Sequence, residues 1–157
     1  MKINWHEYFE YIDGHLFWLL NRRGPVKKGD RVKNIDGKGY VRVMVNRKFY
    51  LAHRVIYEMH HGEIPEGHTI DHIDGDRLNN RIENLRSVTM SINLRNRGMQ
   101  SNNKSGFTGV YYAESLGKWI ASIGKIRLGK FTSFDEAKRA RLSAIKLDPS
   151  YTSRHGV

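Results

Sequence analysis

One carboxylate, one imidazole and two carboxamides that suit phosphodiester hydrolysis lie between residues 71 and 93. A carboxylate and a neutral oxygen ligand fit one hard divalent cation, which keeps several waters and takes its other ligands from substrate phosphates. Asp71 and Asn93 can supply that pair of ligands. His72 follows Asp71, and an imidazole with a pKa of about 6.5 suits the removal of a proton from water at neutral pH. These three residues and Asn84 are the candidate site.

Two other interpretations fit the same segment. Its polar residues are typical of Asx turns and caps without a catalytic role: Asp71, Asp74, Asp76, Asn79, Asn80 and Asn84. The spacing also resembles a calcium loop, which needs a Glu at its twelfth position. Counted from Asp71, that position is Ile82, and counted from Asp74 it is Leu85, so calcium is disfavoured.

The segment that carries these residues predicts strand, loop, strand and helix. It has β-branched residues near both His68 and Thr89, with a middle rich in Asn and Asp, and residues 90–97 contain no Gly or Pro after a candidate N-cap at Thr89. Neighbouring residues on a strand point to opposite faces unless the strand has ended or is distorted there. The arrangement therefore requires Asp71 and His72 to sit at an irregular strand end.

The run from His53 to Asn93, with Ile-Asp-His-Ile-Asp-Gly-Asp-Arg-Leu-Asn-Asn at its centre, resembles the HNH endonuclease family. The similarity covers about residues 40–97 and is to the branch typical of phage and intron homing enzymes. It implies a unit that holds one divalent cation, Mg²⁺ or alternatively Mn²⁺. It also implies His72 as general base, Asp71 and Asn93 as metal ligands, and Asn84 as the residue that fastens the loop and orients His72.

Two hairpins and a helix are predicted upstream. Asp13-Gly14 suits a tight turn between two apolar runs, a second hairpin surrounds residues 46–48, and a helix runs from His53 to His61. For His53, packing is the favoured role and a direct part in the site is the alternative. The Gly- and Pro-interrupted stretch between the hairpins indicates a flexible phosphate-contacting arm or equally an ordinary solvated loop. Its basic residues are Arg22, Arg23, Lys27, Lys28, Arg31 and Lys33.

Residues 105–147 predict three strands and a helix, with a capping box at Ser133 and Glu136. The pattern is similar to the DNA-binding domain of plant ethylene-response factors, which implies a sheet that lies in the major groove. Thr108, Tyr111 and Ala113 stand where plant members carry base-contacting arginines, so the plant target does not transfer. The predicted DNA contacts are Tyr111, Lys118, Lys125 and Arg127, against the alternative of a solvated sheet face.

The composition excludes several classes of protein. The chain has no cysteine, which excludes disulfide scaffolds, thiol catalysis and Cys-ligated zinc. No apolar run approaches the roughly 20 residues that span a bilayer, and the start lacks a signal-peptide core, so a membrane or secreted protein is not expected. The 27 Lys and Arg against 16 Asp and Glu give a net charge of +11, typical of a protein with a polyanionic partner.

These observations predict an α+β protein: a ββα-metal nuclease domain with N-terminal β-hairpins, plus a small three-stranded antiparallel sheet packed on one helix. The expected domains are a nuclease at residues 1–97 with its core motif at 68–97, a linker at 98–104 and a DNA reader at 105–157. The expected function is site-specific, metal-dependent cleavage of double-stranded DNA by a monomer or weak dimer in the cytoplasm of a bacterial host. A DNA-binding regulator with a silent nuclease fold and an unspecific nuclease are the alternatives.

Overall fold

The computed structural model describes residues 3–95, 99, 102–148, 150 and 151. It has the mixed α+β class that the sequence predicts, with small antiparallel sheets. The chain divides into two compact units, Met1–Met90 and Ser91–Val157. Among the described residues, no helix has the length and apolar character that a membrane crossing requires.

The strands pair with their neighbours along the chain. The strands of the first unit are β1 (Phe9–Ile12), β2 (His15–Trp18), β3 (Arg42–Val45), β4 (Lys48–Leu51), β5 (His68–His72) and β6 (Leu85–Thr89). Those of the second unit are β7 (Val110–Ala113), β8 (Lys118–Ile123) and β9 (Ile126–Phe131). The α-helices are α1 (Ala52–His61), α2 (Met90–Arg95) and α3 (Phe134–Leu147). Three two-stranded sheets in the first unit thus precede one three-stranded sheet in the second.

Two-residue turns close both N-terminal hairpins. Asp13 and Gly14 have φ angles of 48° and 84°, the positive values that a tight hairpin turn requires. Asn46 and Arg47 repeat this geometry with φ angles of 49° and 63°. Both predicted hairpins are therefore confirmed, although Lys48 begins β4 and does not belong to the turn.

One apolar core unites the hairpins of the first unit with α1. A two-stranded hairpin is marginally stable in water, so its apolar side chains must pack against another element. The helix contributes Val55 and Ile56, which are 1% and 0% exposed. The hairpins and the β5–β6 pair contribute Phe9, Leu16, Trp18, Val43, Val45, Ile70 and Leu85. The strand that carries Asp71 and His72, β5, is consequently held by residues from the N-terminal half of the unit.

The basic stretch between the hairpins is anchored along β2. The Trp18 amide donates to the Asp30 carbonyl at 3.0 Å, and the Val32 amide donates to the Leu16 carbonyl at 2.8 Å. Val32 is buried in the core. The structure therefore favours an ordered loop over the predicted flexible arm, because paired backbone and a buried side chain fix the end of this segment.

The predicted strand, loop, strand and helix are present from β5 to α2. β5 and β6 pair antiparallel from His68↔Thr89 to His72↔Leu85. The helix follows at once, and its last described residue is Arg95. Residues 96–98 lie outside the described residues, as do residues 100 and 101 of the predicted 98–104 linker, so the domain boundaries stay predictions.

The second unit packs α3 against one face of the β7–β8–β9 sheet. Its core contains Phe107, Val110, Ala121 and Ala137. The first strand begins at Val110, later than predicted, because Gly109 has a φ of 78° and approaches the β8 backbone so closely that a Cβ would lie 2.7 Å from the Ser122 carbonyl oxygen. β8 has its predicted bounds.

The capping box of α3 is formed as the sequence predicts. The Ser133 hydroxyl accepts a hydrogen bond from the Glu136 amide at 3.2 Å, and the Glu136 carboxylate accepts one from the Ser133 amide at 3.3 Å. Two backbone donors that the helix leaves unpaired are thereby satisfied.

Replacing the cap should destabilise the second unit. Ser133→Ala removes the side-chain acceptor and is expected to cost about 1 kcal/mol of unfolding free energy, measured by urea denaturation followed by circular dichroism. The exposed Ser143→Ala in the same helix is the control and should be neutral or slightly stabilising, because Ala is the better helix former. Equal losses in the two variants would contradict the role of the cap.

Candidate active site

Asp71 and His72 are the last two residues of β5, and both are buried, with 6% and 5% of their surface exposed. The strand is regularly paired through His72, and the Ile73 amide continues the pairing by donating to the Asn84 carbonyl at 2.9 Å. The expected irregularity of the pairing is therefore absent, but Asp71 and His72 do lie where β5 ends and the loop begins. Strand alternation gives the two side chains different surroundings.

The imidazole of His72 is fixed by a hydrogen bond to the loop that follows it. Its Nε2 lies 2.9 Å from Oδ1 of Asn80, which is 3% exposed. Because an amide oxygen can only accept, Nε2 carries the proton, and the basic lone pair of the neutral ring lies on Nδ1. This arrangement can present Nδ1 as a proton acceptor.

Two further rings surround His72. The His53 ring, from α1, packs edge-on against it with centroids 5.0 Å apart, and the Tyr40 ring lies 6.1 Å from it. The pKa of His53 is lowered from 6.5 to about 3. Burial is the main cause, and the electrostatic interactions with His72 and Arg54 act in the same direction. His53 is therefore neutral near physiological pH and contacts His72 as an uncharged ring.

Asn84 ties together both ends of the loop between β5 and β6. Its side-chain nitrogen donates to the Asp74 carboxylate at 2.9 Å and to the Asn79 carbonyl at 2.8 Å, while its side-chain oxygen accepts from the Asp74 amide at 3.1 Å. Burial raises the pKa of Asp74, but hydrogen bonds from Asn84, Asn79 and the Asp76 amide outweigh it and leave the pKa below its ordinary value. The loop thus contains the predicted Asx hydrogen bonds, with Asn84 at its centre.

Asp71 forms an ion pair across the sheet. Its Oδ2 accepts from Nη2 and Nε of Arg86 at 2.9 and 3.1 Å. Arg86 stands directly opposite Asp71 in the β5–β6 register. The guanidinium thereby compensates the charge of the buried carboxylate.

The described residues contain no cluster of three or more His, Asp or Glu side chains that could hold a metal ion. A cation at Asp71 would need other oxygen donors, which is the chemistry of a site completed by an amide, water and phosphate. The second predicted ligand, Asn93, is half-buried in α2 and belongs to the second unit.

The N-terminal hairpin contacts the end of the loop between β5 and β6. The Ile82 amide donates to the Tyr11 hydroxyl at 3.0 Å, and Arg81 forms a 2.7 Å ion pair with Asp13 in the hairpin turn. Gly14 packs against the same backbone, since a Cβ there would lie 3.0 Å from the Arg81 amide nitrogen. Three contacts from β1 and its turn therefore support the residues just before Asn84.

Residues 50–95 match the family described as HNH endonuclease. This span contains all four residues of the candidate site.

Two curated relatives come from a phage and a prophage. Protein 3.8 of Escherichia phage T7 is 34% identical over 80 residues, which are 49% of this chain and 66% of that protein. The SPbeta prophage-derived protein YosQ of Bacillus subtilis (strain 168), whose name describes it as an HNH homing endonuclease, is 30% identical over 101 residues, 59% of this chain and 58% of that protein. The chain thus spans somewhat less than two thirds of the length of these relatives.

A solved structure of the HNH homing endonuclease I-HmuI is also similar. The sequence identity is 30%, and the match covers 52% of this chain and 46% of that chain with a TM-score of 0.39.

The sequence does not identify some of the residues around the candidate site. Arg86 becomes visible only once the β5–β6 register places it opposite Asp71. Asn80 was grouped with the turn residues, since no spacing rule links it to His72. Tyr40 lies upstream of the motif, and no local pattern connects it to the site. For His53, the favoured packing role agrees with its burial against His72 and Tyr40.

The predicted DNA contacts of the second unit occupy different positions on its sheet. Tyr111 pairs with Ile120, so alternation along β8 places Tyr111 and Lys118 on one face. Arg127 pairs with Ser122, which is on that face too, and the register shift of this pair lies on the β9 side. Lys125 lies in the turn between β8 and β9, so strand alternation does not place it. Their contacts with DNA stay predictions.

The burial of neutral His53 should make the first unit sensitive to acid. The folded pKa of about 3 lies below the ordinary 6.5, so the stabilisation is complete above pH 6.5 and is lost as the pH falls toward 3. At about pH 4.5 the loss should be of order 2 kcal/mol. His53→Phe keeps a ring in place and should show a smaller loss between neutral and acidic pH in urea denaturation.

His61, which is exposed at the end of α1, provides the matched control. His61→Phe should retain the acid sensitivity of the parent protein. Parallel acid losses in the parent and the His53→Phe variant would contradict the assignment of this sensitivity to His53.

Proposed function

We propose that this protein is a metal-dependent, site-specific DNA endonuclease of the homing type. The observation that carries the proposal is the buried His72, whose Nε2 proton is donated to Asn80 and whose Nδ1 therefore holds the basic lone pair. This histidine belongs to a strand, loop and strand that match the HNH endonuclease family. Hydrolysis of a phosphodiester needs such a base to activate water.

In this proposal, His72 is the general base. Nδ1 removes a proton from the attacking water, while the hydrogen bond to Asn80 holds the ring orientation throughout. Asn84 acts through the loop: its bonds to Asp74 and Asn79 fix the backbone that carries Asn80. Asn84 and Asn80 are thus positioning residues for the base.

Asp71 and Asn93 would hold the divalent cation. Their carboxylate and carboxamide oxygens are hard donors of the kind that Mg²⁺ and Mn²⁺ accept, and the remaining ligands are left to water and substrate. A bound divalent cation stabilises negative charge on the phosphate and on the leaving oxygen. Arg86 forms an ion pair with Asp71 in the structure, so a bound cation would share that carboxylate with Arg86.

The second unit is proposed to select the target. Its similarity to the DNA-binding domain of ethylene-response factors supports a sheet in the major groove, with Tyr111, Lys118, Lys125 and Arg127 as contacts. In the first unit, Arg22 and Arg23 would contact phosphates. Such a pairing gives specificity because one module raises the local concentration of the other at its site.

The biological setting is proposed from the relatives and the charge. Phage and prophage relatives favour action on double-stranded DNA in the cytoplasm of a bacterial host. The net charge of +11 supports a polyanionic partner. The protein would act as a monomer or a weak dimer.

The first test is loss of cleavage without loss of binding. His72→Ala should reduce Mg²⁺-dependent cleavage of phage DNA by about 10²–10⁴-fold, because proton transfer to the base is lost, while binding measured in EDTA stays unchanged. His61→Ala, at an exposed position, should cut like the parent protein.

Three outcomes would contradict the proposal in different ways. Binding without breaks in the parent protein would indicate a regulator with a silent nuclease fold. Degradation of every duplex without discrete fragments would indicate an unspecific nuclease. Cleavage by His72→Ala at the parent rate would show that His72 is not the base.

The second test addresses the sheet of the second unit. A Lys118→Gln/Arg127→Gln double variant should weaken salt-dependent DNA binding and lower the salt slope by about 1.8, since each lost phosphate contact contributes about 0.9. The control is Arg139→Gln/Lys146→Gln, which removes the same charge from exposed positions of α3 that are not assigned to DNA contact. Equal effects of both double variants would indicate that only net charge matters.

A further inference from the structure

A basic cleft lies beside β2 and β3 in the first unit. It encloses about 580 Å³ between these strands and the anchored loop that links the two hairpins. Its walls are apolar at Trp18, Val26 and Val43. Five cationic side chains surround it: Arg22, Arg23, Arg31, Lys33 and Arg42.

The residues that line the cleft do not neutralise its positive charge. Asp30 is the single carboxylate among the lining residues, so five cations minus one carboxylate leave an excess of four positive charges. Asp30 itself accepts a 2.7 Å hydrogen bond from the Lys27 amide. In the described part of the chain, none of the five cations forms an ion pair with a carboxylate. A partner that neutralises the cleft must therefore be an anion.

Two guanidinium groups are already held in place. Arg22 lies 4.7 Å from the Trp18 ring centroid and donates to the Met44 carbonyl at 3.1 Å. Arg42 lies 4.3 Å from the Phe49 ring centroid, and its buried Nε has no hydrogen-bond partner among the described residues. A guanidinium that rests on a ring loses less freedom when it binds a phosphate, whose geometry its planar donors match.

One short segment of chain connects the cleft to the candidate active site. The Tyr40 ring lies 6.1 Å from the His72 ring, and Arg42 follows Tyr40 by two residues, about 7 Å of extended chain. Alternation in this segment places Tyr40, Arg42 and Met44 on the same face. A strand of DNA that reaches His72 therefore has its adjoining phosphates within reach of the cleft.

We propose that this cleft binds the sugar-phosphate backbone of the strand that is cut, beside the scissile phosphate. The inference rests on the proposed nuclease function, and it adds Arg42 to the contacts expected from the basic stretch. It also assigns phosphate contacts to Arg31 and Lys33 but not to Lys27 and Lys28, which do not line the cleft. An excess of four charges exceeds the single charge of one phosphodiester, so successive phosphates of a polymer match the cleft better than a lone anion. The apolar wall at Trp18 and Val26 is suited to contact with deoxyribose.

A pair of double variants of the full chain tests the proposal. Arg31→Gln/Lys33→Gln removes two exposed cations from the cleft, and Lys27→Gln/Lys28→Gln removes two exposed cations from the same loop outside it. Binding of a short mixed-sequence duplex is measured by fluorescence anisotropy in EDTA at several salt concentrations. The cleft variant should lower the salt slope by about 1.8 and weaken binding at physiological salt by roughly tenfold or more.

The position along the strand is tested by phosphate ethylation interference. Ethylation of phosphates next to the cut should weaken binding of the parent protein and of the Lys27→Gln/Lys28→Gln control, but it should have little further effect on the cleft variant. Circular dichroism verifies that both variants fold.

The outcomes separate this proposal from the nuclease proposal. If both double variants lose affinity and salt slope equally, while Mg²⁺-dependent cleavage persists, the cleft proposal is overturned and the nuclease stands. If only the cleft variant is impaired but no form of the protein cuts DNA, the cleft is a DNA-binding site and the nuclease proposal fails. Interference by phosphates remote from the cut would overturn the assignment to the scissile strand segment.

Discussion

The hydrogen bonds of Asn84 are the interaction on which the candidate site depends. The loop between β5 and β6 is rich in polar residues; its apolar Ile73 and Leu78 are exposed, and Ile82 packs against the core. Asn84 adds to that packing by joining Asp74 near the start of the loop to Asn79 in its middle. Because Asn80 follows Asn79, the same bonds set the acceptor that fixes His72. A single amide thereby controls the orientation of an imidazole twelve positions earlier in the chain.

Because the residues of this network are buried, their polar groups depend on the hydrogen-bond partners within it. Asp71, His72, Asn80 and Asn84 each have less than a tenth of their surface exposed, and a buried polar group without a partner costs about 1–3 kcal/mol. Each of the four has a partner within the unit: Arg86 for Asp71, Asn80 for His72, and the loop for Asn84. Alternative positions of these side chains would leave at least one buried group unsatisfied, so the surroundings favour one arrangement.

The sequence predicted most of the fold because its signals are local. Positive-φ turn residues marked the hairpin at Asp13-Gly14, apolar spacing marked α1, and the pair Ser133 and Glu136 marked the start of α3. The contacts that it did not predict are those between distant segments. Arg86 opposite Asp71 depends on the strand register, and Tyr40 beside His72 depends on packing between a hairpin and the motif.

The same distinction explains two local features that the sequence does not settle. Regular pairing continues through His72 because the Asn84 carbonyl accepts from the next amide, a contact that no periodicity reveals. The end of the basic stretch is anchored because Val32 enters the core, and a single apolar residue among charged neighbours gives no strand pattern. Residue types suggest candidate chemical roles, whereas the supporting contacts depend on the tertiary structure.

The contacts of the first hairpin with Arg81 and Ile82 show that the folding unit extends beyond the segment that matches the family. Tyr11, Asp13 and Gly14 support the loop from outside residues 50–95, and much of the core around α1 also comes from outside that span. A segment cut to residues 50–95 would therefore keep the candidate side chains but lose part of the core and the contacts that hold the backbone just before Asn84. Transfer of the site to another protein would have to include these hairpins or an equivalent support.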